Sequence, residues 1–411
     1  MSIQNNNSKG SFVLFNDMYR RLITLKRTYA GYDYNMIVNL GETLKDKKEI
    51  FDPMSGYGTL MIYCANNGKK SYSVEINPPA YLWQILMHPK NKNIIINIIT
   101  KFLSKEKEWK KPSCRAECSD EWFTEESFDI IASLYDCLVD ITREYVSDQI
   151  YIEQIALAIL LPFVSRLSTS INGDITHIKK GGICIYYNYK EDLKFYLNKI
   201  RMRLEENSYI SNEHTVILGD CREEILPQKR FSAMITSPPY PNYRDYYKMF
   251  WPENFLLESF KQRNIIRFEI PKGNVIGTNA VKGREVGEIE NPIVNDFLSN
   301  LSKYKGTKKA EKANERYYVP YFRNYFYDME RAYENIAKSL SDSATGYIIV
   351  SNNTVRNLIV PVAESVIYKW REMGFYAEEI SKEEKFHIGT KNPYSRGLKA
   401  KHAEYIIKVW R

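Results

Sequence analysis

Short apolar runs alternate along the chain with apolar residues in helical spacing. A short apolar run between turn residues predicts a buried strand, whereas apolar residues three and four positions apart predict a helix that buries one face. Strands are predicted at residues 71–77, 215–221, 231–235 and 346–350, and twice more between residues 375 and 410. Helices are predicted from about Thr59 onwards and at residues 317–340 and 362–373. This alternation predicts an α/β fold.

Two long stretches interrupt the alternation. Residues 80–212 carry mainly helical spacing, which predicts a largely helical insertion between the second and third strands of the sheet. Residues 251–316 predict a second insertion. The predicted core then consists of residues 1–79, which include a helical lead-in, and of residues 213–250 and 317–411.

The predicted strand at residues 231–235 leads into Thr236, Ser237, Pro238, Pro239 and Tyr240. The two prolines end the strand because they supply no backbone N–H for a sheet ladder. The resulting corner presents a hydroxyl, a carbonyl without a ladder partner and an aromatic face at the carboxyl edge of the sheet, where open α/β folds bind ligands. Such an arrangement suits a flat substrate that bears an amine. Because Pro-Pro also commonly ends strands, the corner alone leaves a structural role open.

A loop with two glycines follows the first strand. Gly56 and Gly58 allow a tight turn, and a helix that begins near Thr59 presents free N–H groups to an anionic group. The next strand carries Glu75 roughly 20 residues beyond the glycines, the spacing at which a Rossmann-like sheet offers an acid to a ribose diol. A solvated glutamate at a strand end is the alternative. Together these features predict a cofactor loop.

Both motifs resemble those of one enzyme family. Ser-Pro-Pro-Tyr at residues 237–240 resembles the Ser/Asp/Asn-Pro-Pro-Tyr motif of the S-adenosylmethionine-dependent amino-methyltransferases, which methylate the exocyclic amine of cytosine or adenine in DNA. With the preceding threonine, it is most similar to the N4-cytosine branch. The loop at residues 52–59 resembles the family's Asp-Pro-Phe-x-Gly-Ser-Gly-Thr, with Met54 in place of Phe and Tyr57 in place of Ser. The resemblance implies a Rossmann-like class I methyltransferase sheet with helices on both faces and two large insertions.

The resemblance also assigns roles by position. Residues 1–79 would contain the cofactor-binding part of the core and residues 213–250 the catalytic part. S-adenosylmethionine would contact Asp52, Pro53, Met54, Ser55, Gly56, Gly58, Thr59, Glu75, Ile76, Asp220 and Cys221. Asp220 corresponds to the acid that reaches the adenine amino group of the cofactor. Catalysis would fall to Ser237, Pro238, Pro239 and Tyr240.

The implied reaction is methyl transfer to the N4 amine of cytosine in double-stranded DNA. The family further implies a restriction-modification or related defence system, with a cognate endonuclease or defence-system subunits as partners. Adenine N6 methylation by the same corner is one alternative, and a non-catalytic cofactor-binding subunit that recognises DNA is another. Carbon-5 methylation of cytosine uses a Pro-Cys motif for covalent attack, and no Pro-Cys dipeptide occurs in the sequence.

Composition and charge bear on location and partners. The 411 residues carry a net charge of +8 and contain neither a membrane-spanning apolar stretch nor a secretory signal pattern, which predicts a cytoplasmic protein with no membrane partner. Basic residues around Gly306 predict contacts with DNA phosphates, although a solvated loop fits equally well. They are Lys303, Lys305, Lys308, Lys309, Lys312 and Arg316. A polar, basic stretch at residues 165–182, which includes His177, is a second candidate for such contacts. No metal site is predicted, because Cys114 and Cys118 lack a second pair of ligands.

Overall fold

The structure, a computed structural model, describes residues 34–110, 125–169, 189–241, 250–267, 275–278, 286–388 and 399–411. Its strands are β1 (Glu49–Asp52), β2 (Lys70–Glu75), β3 (His214–Leu218), β4 (Phe231–Thr236), β5 (Leu340–Asn352), β6 (Thr354–Val355), β7 (Leu358–Ile359), β8 (Tyr376–Ile388) and β9 (Lys399–Trp410). Seven of these strands form one sheet in the order β3-β2-β1-β4-β5-β9-β8, and β6 pairs with β7 separately.

The sheet is mostly parallel. Strands β1 to β5 pair in parallel with their neighbours. Strand β9 then runs antiparallel to β5, and β8 runs antiparallel to β9, so the sheet closes with a long hairpin. The predicted α/β class, and the two closing strands predicted between residues 375 and 410, are therefore confirmed.

Strand order reverses at the centre of the sheet. The chain proceeds from β1 outward through β2 to β3, then returns to place β4 on the other side of β1. In open α/β sheets this reversal leaves a crevice at the carboxyl ends of the two central strands, and ligands bind there. Both sequence motifs follow these strands directly, the glycine loop after β1 and the Pro-Pro corner after β4.

Helices cover both faces of the sheet. They are α1 (Tyr34–Thr43), α2 (Thr59–Asn66), α3 (Pro78–Met87), α4 (Lys92–Ser104), α5 (Glu125–Thr142), α6 (Gln149–Thr169), α7 (Tyr189–Glu206), α8 (Trp251–Gln262), α9 (Pro292–Ser302), α10 (Lys308–Ala313), α11 (Val319–Ser339) and α12 (Val362–Glu372). Alternate strand residues point to opposite faces. Thus Phe51 joins a core with α9, α11 and α12, whereas its neighbour Ile50 joins a core with α1 and α2.

The helices between β2 and β3 build a core of their own. Helices α3 to α7 contribute Leu82, Ile98, Leu134, Ile159 and other fully buried residues to one cluster, so the predicted helical character of residues 80–212 holds where the structure describes them. Helix α8, from the second interval, packs into the same cluster through residues 256–260. Helix α9 instead packs against the sheet. Each end of the interval 251–316 is therefore attached to a different core.

Several predicted boundaries shift by a few residues. The predicted strand at 71–77 ends at Glu75, and the one at 215–221 ends at Leu218. Strand β5 is longer than the predicted 346–350 because the polar residues 341–343 continue the strand without an apolar signal. Within the described ranges, no helix is both long and apolar enough to cross a membrane.

Candidate active site

A buried hydrogen bond joins the ends of the two central strands. Asp52, the last residue of β1, is fully buried, and its Oδ1 accepts a hydrogen bond from the Thr236 hydroxyl at the end of β4 (2.9 Å). The same oxygen accepts from the Met54 backbone N–H (3.2 Å). A carboxylate without water requires such donors to offset its desolvation. The bond places the glycine loop and the Pro-Pro corner side by side at the crevice.

Left-handed backbone shapes the loop after β1. Gly56 has φ 53° and Gly58 has φ 76°, a region that other residues enter only at a cost. A Cβ added at Gly58 would lie 2.8 Å from the Gln84 side chain, whereas one added at Gly56 would meet nothing within 4 Å. Gln84 from α3 donates hydrogen bonds to Ser55 Oγ (2.8 Å) and to the Gly56 carbonyl (2.7 Å). The loop is therefore held from one side and open at Gly56.

Glu75 closes the loop from β2. Its Oε2 accepts from the Gly56 N–H and its Oε1 from the Asn77 N–H, both at 2.7 Å. Burial raises the pKa of Glu75 to about 7, and the two N–H groups act in the opposite direction. Each carboxylate oxygen has two lone pairs, so both keep acceptor capacity beyond these bonds. Glu75 is thus fixed beside the open side of Gly56, in a position to accept hydrogen bonds from a diol.

Asp220 lies beyond the end of β3, next to the strand that carries Glu75. Its carboxylate accepts hydrogen bonds from the Arg222 guanidinium, with both oxygens about equally far from Nε (3.0 and 2.9 Å). Arg222 also pairs with the fully buried Asp328 of α11, at 3.0 Å between Nη1 and Oδ2. Burial opposes the charge of Arg222, but the two carboxylates raise its pKa overall. Cys221 lies between Asp220 and Arg222 in the sequence and is buried, and this burial raises the pKa of its thiol.

Two tyrosines and a carboxylate make hydrogen bonds at the Pro-Pro corner. The Ser237 hydroxyl donates to the Tyr240 hydroxyl, which donates to Glu404 Oε1 of β9, each over 3.3 Å. Tyr325 of α11 donates to the Pro239 carbonyl (3.0 Å). Pro238 is buried, whereas Ser237 and Tyr240 are half-buried.

The loop that follows the corner is also anchored. Asn353, just beyond β5, donates from Nδ2 to the Pro241 carbonyl (2.6 Å). Residues 239–241 are thus held by contacts from α11, from β9 and from the residue that follows β5.

The remaining residues of the predicted cofactor site line the same edge. Pro53, Ser55 and Thr59 are buried, and Met54 and Ile76 are half-buried. Thr59 begins α2, whose N-terminus carries no side-chain cap. The loop, Glu75 and the corner therefore come together, while Asp220 faces Arg222.

The predicted DNA-contacting residues are all exposed. They are Lys303, Lys305, Lys308, Lys309, Lys312 and Arg316. The segment continues through a π-helical turn, Asn314–Tyr318, into α11, the helix whose Tyr325 contacts the corner. Such turns are often found at functional sites. Arg356, from the turn between β6 and β7, donates to the Asn314 side chain (3.0 Å) and ties the segment to the carboxyl edge of the sheet.

Some predictions fall on residues outside the described ranges. These are His177, Cys114, Cys118 and most of the basic stretch at 165–182. Across the described ranges, no group of three or more histidine, cysteine, aspartate or glutamate side chains is arranged to hold a metal ion.

Several site residues carry no sequence signal. Gln84, Tyr325, Asp328, Asn353 and Glu404 reach the site only through tertiary packing. Thr236 is the exception, because it directly precedes the motif at the end of a strand. The sequence could therefore have suggested its hydroxyl as a partner for Asp52.

Neither a scan against protein-family models nor a search of curated proteins finds a match to this chain. The geometry of the site is therefore the basis for proposing a function.

The ion pair of Arg222 with Asp328 gives a stability prediction. Replacing Asp328 with alanine leaves a buried guanidinium with one carboxylate fewer, which we expect to lower the free energy of unfolding by about 3 kcal/mol. Asp342→Ala is the matched control, because it removes a carboxylate paired with Lys229 at the surface and should cost below about 0.5 kcal/mol. Urea unfolding of the two variants measures both values. Equal losses would contradict the importance of the buried pair.

Proposed function

We propose that this protein is an S-adenosylmethionine-dependent DNA methyltransferase that acts on an exocyclic amine, with N4 of cytosine as the acceptor. The observation that carries the proposal is the hydrogen bond between Asp52 and Thr236, because it sets a cofactor-type loop beside a Ser-Pro-Pro-Tyr corner at the strand-order reversal. Either motif alone has a structural explanation. Their adjacency at the edge where open α/β sheets bind ligands favours a shared reaction site.

The sheet topology supports the proposed class. The parallel order β3-β2-β1-β4-β5 is that of a Rossmann-like sheet, and the antiparallel hairpin β8-β9 resembles the strands that close the methyltransferase sheet. A class I methyltransferase sheet is the proposed finer assignment of this fold.

The loop fits the proposed cofactor. The open space beside Gly56 admits a ligand close to the backbone, and the spare lone pairs of Glu75 suit the two hydroxyls of a ribose. The uncapped start of α2 offers N–H groups to a carboxylate. In this proposal the ion pair with Arg222 positions Asp220, which would accept from the adenine amine. When bound, S-adenosylmethionine would supply an electrophilic methyl group carried on a sulfonium.

The corner fits an aromatic amine as the acceptor. The lone pair of such an amine is delocalised into the ring, so the amine needs hydrogen-bond acceptors that align its N–H groups and direct the lone pair. Ser237 Oγ and the Pro238 carbonyl are the proposed acceptors, and Tyr240 is the proposed stacking face. The contact of Tyr325 with the neighbouring Pro239 carbonyl keeps the corner in place. The base must leave the duplex to reach this site.

The basic segment supports DNA as the substrate. Residues 303–316 contain six basic and two acidic side chains. All six basic side chains are exposed. Through Arg356 and α11 the segment lies on the side of the sheet that carries the corner. Exposed lysines and arginines there would bind phosphates without reading sequence. A role in a restriction-modification or related defence system, with an endonuclease or defence-system subunits as partners, rests on the family resemblance alone. A cytoplasmic location is proposed on the sequence pattern alone.

Methylation of DNA tests the proposed function directly. We expect plasmid DNA incubated with the protein and S-adenosylmethionine to yield N4-methylcytosine on nucleoside mass spectrometry. Ser237→Ala should lower the rate about 100-fold, because one aligned acceptor is lost, and should leave cofactor affinity unchanged. N6-methyladenine as the product would replace cytosine by adenine as the acceptor. No methylated base, or a wild-type rate for Ser237→Ala, would contradict the proposal.

The salt dependence of DNA binding tests the basic segment. Replacing Lys308 and Lys309 with alanine should reduce the slope of log K against log salt by about 1–2 units without changing the preferred sequence. Lys45→Ala with Lys48→Ala is the matched control, because these exposed lysines precede β1 at the opposite edge of the sheet. Equal slopes for the wild-type protein and the Lys308, Lys309 variant would favour a solvated loop.

A further inference from the structure

A hydroxyl relay at the corner ends on a carboxylate that the sequence did not single out. Ser237 donates to Tyr240 and Tyr240 donates to Glu404, over 3.3 Å in each case. We infer that Glu404 is a positioning residue for methyl transfer, because it fixes the direction of both hydroxyl hydrogens and so makes Ser237 Oγ an acceptor toward the substrate amine. This inference rests on the proposed function and adds a residue to its site.

The chemistry of the three groups dictates the direction. A carboxylate can only accept hydrogen bonds, whereas a hydroxyl both donates and accepts. Glu404 therefore takes the Tyr240 hydrogen, which leaves the Tyr240 oxygen to accept the Ser237 hydrogen. The lone pairs of Ser237 Oγ are then available to a donor such as an amine N–H. Without the carboxylate, the Tyr240 hydroxyl is free to donate to Ser237. The Ser237 hydrogen can then point toward the substrate, where it would repel the N–H groups of the amine.

The sheet holds Glu404 firmly in place. On β9, Glu404 is in register with Ser351 of β5 on one side and with Glu383 of β8 on the other. The Ser351 hydroxyl donates to the carbonyl of Ala403, the residue before Glu404 (3.1 Å). The following residue, Tyr405, is buried in the core. The carboxylate thus projects from a strand paired on both sides.

The corner that receives this carboxylate is fixed independently of it. Tyr325 holds the Pro239 carbonyl and Asn353 holds the Pro241 carbonyl. The oxygen separations of 3.3 Å exceed the roughly 2.8 Å that is usual for hydroxyl donors, and catalytic hydrogen bonds commonly tighten when substrate binds. Because the backbone is anchored, the contribution of Glu404 is the orientation of hydroxyl hydrogens, which predicts an effect on rate and none on folding or cofactor binding.

A double-mutant cycle tests this role. Glu404→Gln keeps the size of the side chain but adds a donor, so the direction is no longer imposed; we expect the single-turnover rate of tritiated methyl transfer from S-adenosylmethionine to plasmid DNA to fall about tenfold. Tyr240→Phe breaks the relay from the other end while keeping an aromatic face. In that background Glu404→Gln should cause no further loss. Affinity for S-adenosylmethionine should be the same in all variants.

Glu378→Gln is the matched control, because it makes the same change at an exposed position of β8 whose register partner on β9 is Lys408, and it should leave the rate unchanged. A wild-type rate for Glu404→Gln, or the same fold loss in both Tyr240 backgrounds, would overturn the inference while the wild-type protein still methylates DNA. If the wild-type protein transfers no methyl group, the proposed function fails together with this role. Should Glu404→Gln not fold, an unchanged rate for Tyr240→Phe would overturn the relay by itself.

Discussion

The hydrogen bond from Thr236 to Asp52 is the constraint on which the arrangement of the site depends. Strands β1 and β4 are joined in register at Phe51 and Met234, one residue before Asp52 and two before Thr236. At the ends of the two strands, the buried carboxylate of Asp52 accepts the hydrogen bond from Thr236 and links one strand to the other. Its second acceptor contact, from the Met54 N–H, starts the turn of the glycine loop. One side chain thus contacts both the end of β4 and the start of the glycine loop.

The two sides of this crevice are built for different tasks. On the β2 side, Glu75 and Gln84 hold the loop by its backbone and leave the space beside Gly56 open. On the β5 side, contacts from α11 and β9 hold the Pro-Pro corner by a carbonyl and a hydroxyl. Under the proposed function, this division would allow binding of the cofactor and orientation of the substrate to be altered separately. It also explains why parts of the chain more than 150 residues apart in sequence meet at one edge: Tyr240 and Glu404 are separated by 164 residues.

Short-range sequence patterns predicted most of the fold. Apolar runs bounded by turn residues predicted the strands around residues 231–235, and the two prolines located the corner, because both signals act within a few residues. Strand β5 was predicted too short, since its first residues are polar. The split of the interval 251–316 between two cores was not predictable, because an apolar helix face does not specify which core it joins.

The site was predicted in part, and the missing part is tertiary. The glycine loop and the corner are each a continuous stretch of sequence, so each was recognisable as a motif. Glu404 lies on a strand in which apolar and polar residues alternate, and a charged side chain in such a strand is ordinarily solvated. Nothing in the sequence therefore links it to Tyr240. The cofactor contact of Asp220 is a prediction from the family resemblance, and its ion pair with Arg222 is a contact that the sequence analysis did not include. Arg222 pairs in addition with Asp328 of helix α11, about 100 residues further along the chain, and a contact over that separation has no local sequence signal.

The open side of the glycine loop is the proposed binding site for S-adenosylmethionine, and a calorimetric titration tests this proposal most directly. Gly56→Ala places a methyl group in that space, whereas Gly374→Ala imposes a similar left-handed strain (φ 82°) between α12 and β8, also with nothing within 4 Å. We expect the wild-type protein and Gly374→Ala to bind S-adenosylmethionine alike, and Gly56→Ala to bind at least about tenfold more weakly, a difference of ~1.4 kcal/mol. No binding to the wild-type protein, or equal binding by Gly56→Ala, would contradict the account.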